Sequence, residues 1–159
     1  DPTDVWWSER MMGLALATVE ATSREYRLDA DRVYLTGLSL GGAGVWHIGA
    51  KYARHFAALV PVCGFAELGQ DTGEAGRLAP LLKGLPIWCF HGALDDRVPV
   101  KKSRDMVGAI RAAGGVCYYS ELAEGNHFIW DRVYGDVRLW RWLFEQRRGA
   151  VGAGPTAAP

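Results

Sequence analysis

The sequence predicts an α/β protein, a mostly parallel sheet with helices packed on it, and three observations carry that prediction. Helical and strand-like patterns alternate along the 159 residues, as α/β chains require. The strand-like stretches are nearly continuous apolar runs, the mark of parallel strands buried on both faces. The residues with chemical potential fall just past the ends of those runs, where open α/β sheets place their functional groups.

Residues 5–26 read as a first helix, with Met12, Leu16 and Val19 along its apolar face. A polar turn at 28–31 leads into a β-branched and aromatic strand at 33–36. A helix then runs to about residue 55, and Gly42, Ala43 and Gly44 let it lie close on the sheet. Residues 57–63 form a second strand, with Pro61 tolerated best near its exit. The Gly-rich connector at 65–84 holds a short helix at 78–83 and is too short for a separate lid.

A third strand is expected at 86–90. Pro99 suits the first turn of the helix after it, Met106, Val107 and Ile110 make the buried stripe, and Gly114-Gly115 ends it. Residues 116–120 are the fourth strand. A final helix carries Val133, Val137, Trp140 and Phe144 at helical spacing, as a core stripe. One domain therefore occupies residues 1–148, and the Gly-, Ala- and Pro-rich residues 149–159 read as a disordered tail.

Gly37-Leu38-Ser39-Leu40-Gly41 stands where the first strand gives way to a helix. This G-x-S-x-G pattern is a nucleophile elbow: a sharp turn strains the serine backbone and lifts its hydroxyl clear of the sheet, and glycines at 37 and 41 avoid collision with neighbouring backbone. The helix that follows aims backbone N–H groups and a positive dipole end at the serine, where an anionic tetrahedral intermediate would sit. The Leu40 N–H, next after the nucleophile, is the first oxyanion donor.

A serine nucleophile needs a base, and the base an orienting acid. Asp95 and Asp96 lie beyond the third strand and His127 beyond the fourth, in the order serine, acid, histidine. His91 reads as a packing and hydrogen-bonding residue, and His47 and His55 as structural or solvated ones. Trp46 and Trp130, near Ser39 and His127 in sequence, are candidate pocket linings.

Thr36 to Trp46 around the elbow, His91-Gly92-x-x-Asp95-x-x-Val98-Pro99, and Gly125-Asn126-His127-x-x-Trp130 together resemble the α/β-hydrolase superfamily. The nearest likeness is to bacterial esterases described as predicted peptidases or carboxylesterases, related to feruloyl and polyhydroxybutyrate-depolymerase-like enzymes. The resemblance runs from Val5 to Arg148. It implies Asp95 as the acid, with Asp96 a solvated neighbour, and ester hydrolysis through an acyl-enzyme, where the residues alone reach acyl transfer. A serine peptidase and a non-catalytic interaction module are the alternatives.

The resemblance further implies an α/β-hydrolase fold lacking its N-terminal strands. The strand at 33–36 would then be interior, its other neighbour and the second oxyanion donor coming from sequence before Asp1. A companion chain or an N-terminal segment would complete the sheet, or a homodimer would form through this strand.

Eighteen basic and eighteen acidic residues balance, which points away from nucleic acid and from anionic membrane surfaces. Cys63, Cys89 and Cys117 sit in or beside apolar strands without metal-ligand spacing, and their odd number argues against a disulfide framework. No cofactor or metal is implied. No apolar run spans a bilayer, so the expectation is a soluble protein, cytoplasmic or secreted, acting on a small ester.

Overall fold

The computed structural model describes residues 5–150 and 154–155. Its centre is a four-stranded, all-parallel sheet in the order β1-β2-β3-β4, formed by β1 (Tyr34–Leu38), β2 (Ala58–Val62), β3 (Ile87–Gly92) and β4 (Cys117–Leu122). Helices α1 (Glu9–Glu25), α2 (Leu40–Lys51), α3 (Glu74–Leu82), α4 (Lys101–Ala112), α5 (Trp130–Tyr134) and α6 (Val137–Glu145) flank it.

The period-two alternation of a strand sorts side chains to the two faces of the sheet. Leu59, Ile87 and Cys89 point one way, into a core shared with Val45 and Ile48 of α2, Leu82 of α3, and Met106 and Ile110 of α4. Val60, Val62, Trp88 and Phe90 point the other way, against Val133 of α5 and Leu139, Trp142 and Leu143 of α6. Every residue of β2 and β3 is buried, which explains why both read as unbroken apolar runs.

Pro61 is the penultimate residue of β2, opposite Gly37 of β1. Leu59 and Cys63 give their N–H groups to Pro86 and Phe90 on the β3 side, so the donor that Pro61 lacks is missing on that side alone. The pairing between β2 and β3 is correspondingly sparse, registered at Leu59–Ile87 and Val62–Phe90.

Several boundaries differ from those the sequence suggests. Helix α1 begins at Glu9, not at Val5, because the Ser8 hydroxyl accepts the Met11 N–H at 3.3 Å and caps it there. Of its predicted face only Met12 is fully buried. Helix α3 starts at Glu74, four residues earlier than expected, and carries Pro80 on its exposed side. Pro99 lies just ahead of α4, where its carbonyl accepts the Lys102 N–H at 2.8 Å.

The final helix is two helices. Asp136 starts α6 afresh by accepting the Arg138 N–H at 2.9 Å, and the break resets which residues face inward. Val133 is buried, but Leu139, Trp142 and Leu143 fill the core. Val137 and Phe144, predicted as core, are 64% and 53% exposed.

The predicted disordered tail lies largely outside the described residues, although Gly154 rests against Tyr118. No helix among the described residues is long and apolar enough to cross a membrane.

Candidate active site

Ser39 sits between the last residue of β1 and the first of α2, with φ 53° and ψ −117°. A left-handed backbone is costly for a non-glycine residue. The surroundings hold it there: the Ser39 N–H bonds to Val62 O at 2.9 Å, and its carbonyl accepts the Ala43 N–H at 3.0 Å. Gly37 is required at this turn, since a Cβ there would stand 2.5 Å from the Gly41 carbonyl carbon. Gly41 is not, as a Cβ on it meets nothing within 4 Å, so the expected collision applies to one of the two elbow glycines. Gly42 lets α2 touch the β2 exit, where an added Cβ would lie 2.8 Å from the Gly64 Cα.

The structure brings Ser39, His127 and Asp95 together. Ser39 Oγ is 3.0 Å from His127 Nε2, and His127 Nδ1 is 2.7 Å from Asp95 Oδ2. A carboxylate only accepts, so Nδ1 carries the ring hydrogen and Nε2 is free to take the serine proton. The other carboxylate oxygen, Oδ1, accepts the N–H groups of Arg97 at 2.9 Å and Val98 at 2.8 Å. Burial pushes the Asp95 pKa up, but the N–H groups of Val98, His127 and Arg97 outweigh it and hold the carboxyl below its ordinary value. Asp96, one residue on, is exposed.

The loops carrying acid and base are locked to each other. Ala93 N–H bonds to Leu122 O and Leu94 N–H to Gly125 O, at 2.9 and 2.8 Å. A Cβ on Gly92 would lie 2.2 Å from Asn126 O, so only glycine allows this approach. Asn126 then turns the chain through His127 by accepting the Phe128 N–H at 2.9 Å on its side-chain oxygen. The Leu40 N–H opens α2 directly after the serine, in the first turn, where backbone N–H groups have no partner within the helix.

The two tryptophans fare differently. Trp46 is 0% exposed and part of the core beneath α2, so it lines no pocket; its position on the sheet-facing side of the helix decides this. Trp130 is half-buried and stands edge-on to the His127 ring at 5.8 Å. Phe128, which the sequence did not single out, packs against both rings and is 52% exposed, with the Arg97 guanidinium 4.7 Å over its face. Its only sequence signal was adjacency to His127. His47 is held by Ala66 O and stacks on Trp7, a structural role as expected.

Cys63 was also overlooked as a neighbour of the site. Apart from Ser39 it is the one non-glycine residue with positive φ, 47°, among the described residues. Its Sγ is 3.6 Å from His127 O, and burial pushes the thiol up to about 12. Cys63, Asp95 and His127 bring three potential ligand atoms within 4.8 Å of one another. Asp95 and His127 are already joined there through Oδ2 and Nδ1, the arrangement in which a carboxylate orients an imidazole.

No family model matches the chain. A thermostable esterase of known structure is 32% identical with a TM-score of 0.78 over 88% of this chain and 37% of its own. The acyl-protein thioesterase 1 homolog 2 of Dictyostelium discoideum is 31% identical over 90 residues, 57% of this chain and 38% of that protein. A bifunctional acetylxylan esterase/xylanase of Neocallimastix patriciarum is 31% identical over 78 residues, 49% of this chain and 10% of that protein. The chain thus spans less than two-fifths of each. A parallel sheet that superposes on an esterase over most of this chain, with a strained serine at its first strand exit, leaves one assignment: the chain belongs to the α/β-hydrolase superfamily.

Proposed function

We propose that this chain carries the nucleophile, base and acid of a serine hydrolase that cleaves carboxylic esters through an acyl-enzyme. The observation that supports this best is the continuous line of contacts from Ser39 Oγ through the His127 ring to Asp95, 3.0 and 2.7 Å long, with the serine on strained backbone. His127 takes the Ser39 proton as the hydroxyl attacks the ester carbonyl, and Asp95 fixes the ring tautomer and stabilises the imidazolium. The Leu40 N–H donates to the oxyanion. The proton then passes to the leaving alcohol, and water repeats the cycle on the acyl group. Phe128 and Trp130 would form the apolar wall that the substrate meets beside His127.

We propose also that a further strand of the same hydrolase sheet pairs with β1. Among the described strands β1 has one neighbour, β2, and a groove of about 360 Å³ lined by Val19, Leu28, Val33 and Tyr34 runs beside it. The chain's 37% share of the esterase it resembles supports a strand from a longer form of this protein as the occupant. Light scattering of the longer form and of this chain tests the idea: a monomeric long form beside a self-associating short one supports it, and two monomers of equal stability overturn it.

The test of the main proposal is stoichiometric labelling by an organophosphonate, located by mass spectrometry, beside turnover of esters from acetyl to feruloyl and one peptide amide. Label on Ser39 with ester turnover is the expected result. Faster cleavage of the amide would make the chain a peptidase. An unlabelled chain without turnover would be a binding module on a hydrolase fold.

A further inference from the structure

The triad acid touches two histidines, and the second is built into the fold more firmly than the first. His91 is the penultimate residue of β3 and is fully buried. Its Nε2 is 3.0 Å from Val98 O and its Nδ1 is 2.7 Å from Ser103 Oγ. A carbonyl oxygen can only accept, so Nε2 carries the hydrogen and Nδ1 accepts the hydroxyl proton of Ser103. The neighbours thereby dictate the tautomer. Burial lowers the pKa of this imidazole, against the opposing pull of Val98 O and Asp95, and favours the neutral ring.

The same Nε2 stands 3.1 Å from Asp95 Oδ2, the oxygen that meets His127. Oδ2 therefore lies between two imidazoles, one free to exchange protons with the serine and one fixed. Val98 serves both ends of the arrangement, its N–H on Asp95 Oδ1 and its carbonyl on His91. Ser103, fully buried on α4, ties the ring to that helix and lies 3.4 Å from Gly64 O at the exit of β2. Of the other titratable and charged groups, His127 acts on His91 across Asp95, Glu121 stands opposite it on β4 with its carboxylate held by Arg104 of α4, and Cys63 lies beside Asp95 and His127.

We infer that His91 is a positioning residue for the triad acid: the N–H edge of a fixed, neutral imidazole faces Asp95 Oδ2 and keeps that oxygen directed at His127. The inference rests on the serine-hydrolase reading above. Its electrostatic consequence has a definite sign. The positive N–H edge stabilises charge on Oδ2 and so moderates the carboxylate's pull on the His127 hydrogen. Without it Oδ2 pulls harder, the protonated base persists to higher pH, and the acid limb of kcat/KM moves upward in pH. Oδ1 stays anchored on the N–H groups of Arg97 and Val98, so the bond to His127 persists, but its angle is no longer set by His91, and kcat falls while KM stays.

Three variants test it. His91→Leu removes the N–H edge, His91→Gln restores an amide N–H near the Nε2 position, and Ser103→Ala releases the ring. His91→Leu is expected to lower kcat on the order of tenfold to a hundredfold, the cost of a misplaced catalytic group, with KM within about twofold. His91→Gln should recover most of the loss, and Ser103→Ala should shift the acid limb in the same direction by less.

A second readout needs no turnover. In a Ser39→Ala background, the proton resonance of His127 Nδ1–H should move downfield when His91→Leu is added, because its bond to Oδ2 tightens. Loss of ester turnover in the wild type alone would defeat the hydrolase reading and leave this signal to judge His91. A folded His91→Leu protein with an unmoved acid limb and an unmoved resonance overturns the inference. Should His91→Leu not fold, wild-type behaviour of Ser103→Ala in both readouts overturns it equally.

Discussion

The nucleophile stands on a turn of strained backbone, whereas the acid and the base stand on loops closed by hydrogen bonds. Around Ser39 the chain is constrained by close approach, Gly37 against Gly41 and Gly42 against Gly64, and by a φ that ordinary residues avoid. Around Asp95 and His127 no loop residue has a positive φ. Apart from the close approach of Gly92 to Asn126, the chain there is fixed by hydrogen bonds: Ala93 on Leu122 and Leu94 on Gly125 through the backbone, Asp95 on Arg97 and Val98, Asn126 on Phe128, His91 on Val98 and Ser103. Strain is a property of a short segment and leaves a compact mark in the sequence. A hydrogen-bonded loop draws on residues far apart in the chain and leaves a diffuse one.

The largest test of this contrast is removal of the reacting groups. Ser39→Ala and His127→Ala should each lower kcat by on the order of 10⁴- to 10⁶-fold, with a thermal melt close to wild type for Ser39→Ala and a lower one for His127→Ala, whose ring is buried against Asp95. Steady-state ester hydrolysis beside a calorimetric scan checks both. Near-normal turnover by Ser39→Ala in a preparation free of other esterases would dismantle the assignment.

The adjacent aspartates come next. Asp95→Asn should cost about 10⁴-fold in kcat, since the amide can donate where a carboxylate must accept, while Asp96→Asn stays within a few-fold. The reverse ranking would move the acid by one residue. Stability should follow pH with a sign fixed by the lowered pKa of Asp95. Its contribution is fully present above the ordinary aspartate value of about 4 and is lost as pH falls through the lower folded value. Urea unfolding from pH 7 downward should therefore show a shallower acid loss for Asp95→Asn than for wild type.

The two elbow glycines sharpen the strain side. Gly37→Ala should destabilise by about 2–3 kcal/mol, as overpacking does, because the Gly41 backbone cannot retreat. Gly41→Ala should be neutral or stabilising by up to about 1 kcal/mol, since alanine suits a helix better than glycine. Equal losses for the pair would show that the turn is tighter than the contacts imply. The smallest effect belongs to Phe128→Ala, which should raise KM for bulky apolar esters by about three- to tenfold, the loss of a partly exposed apolar contact, with kcat and acetate hydrolysis little changed.

Much of this molecule was legible in its sequence, for reasons the residues make plain. The runs in β2 and β3 are apolar because both of their faces are buried. The order Ser39, Asp95, His127 followed from three strand exits on one side of a parallel sheet. What escaped depended on phase and on distant partners. The stripe through Val137 and Phe144 was misread because Asp136 restarts the helix, and Trp46 because nearness to Ser39 in sequence says nothing about which side of α2 it faces. Phe128 and Cys63 acquire meaning only through His127, reached from different strands.

The bonds from Ala93 to Leu122 and from Leu94 to Gly125, with Gly92 pressed on Asn126, weld the acid and base loops into one mechanical body. Ser39 belongs to another, the β1–α2 corner, joined to the first through β2, whose pairing with β3 is thinned at Pro61. Warming should therefore loosen the seam between these bodies before it disturbs either. The aspartate–histidine distance will ride through that motion unchanged while the serine–histidine distance breathes, so heat should erode nucleophile activation at temperatures where the imidazole is still correctly oriented.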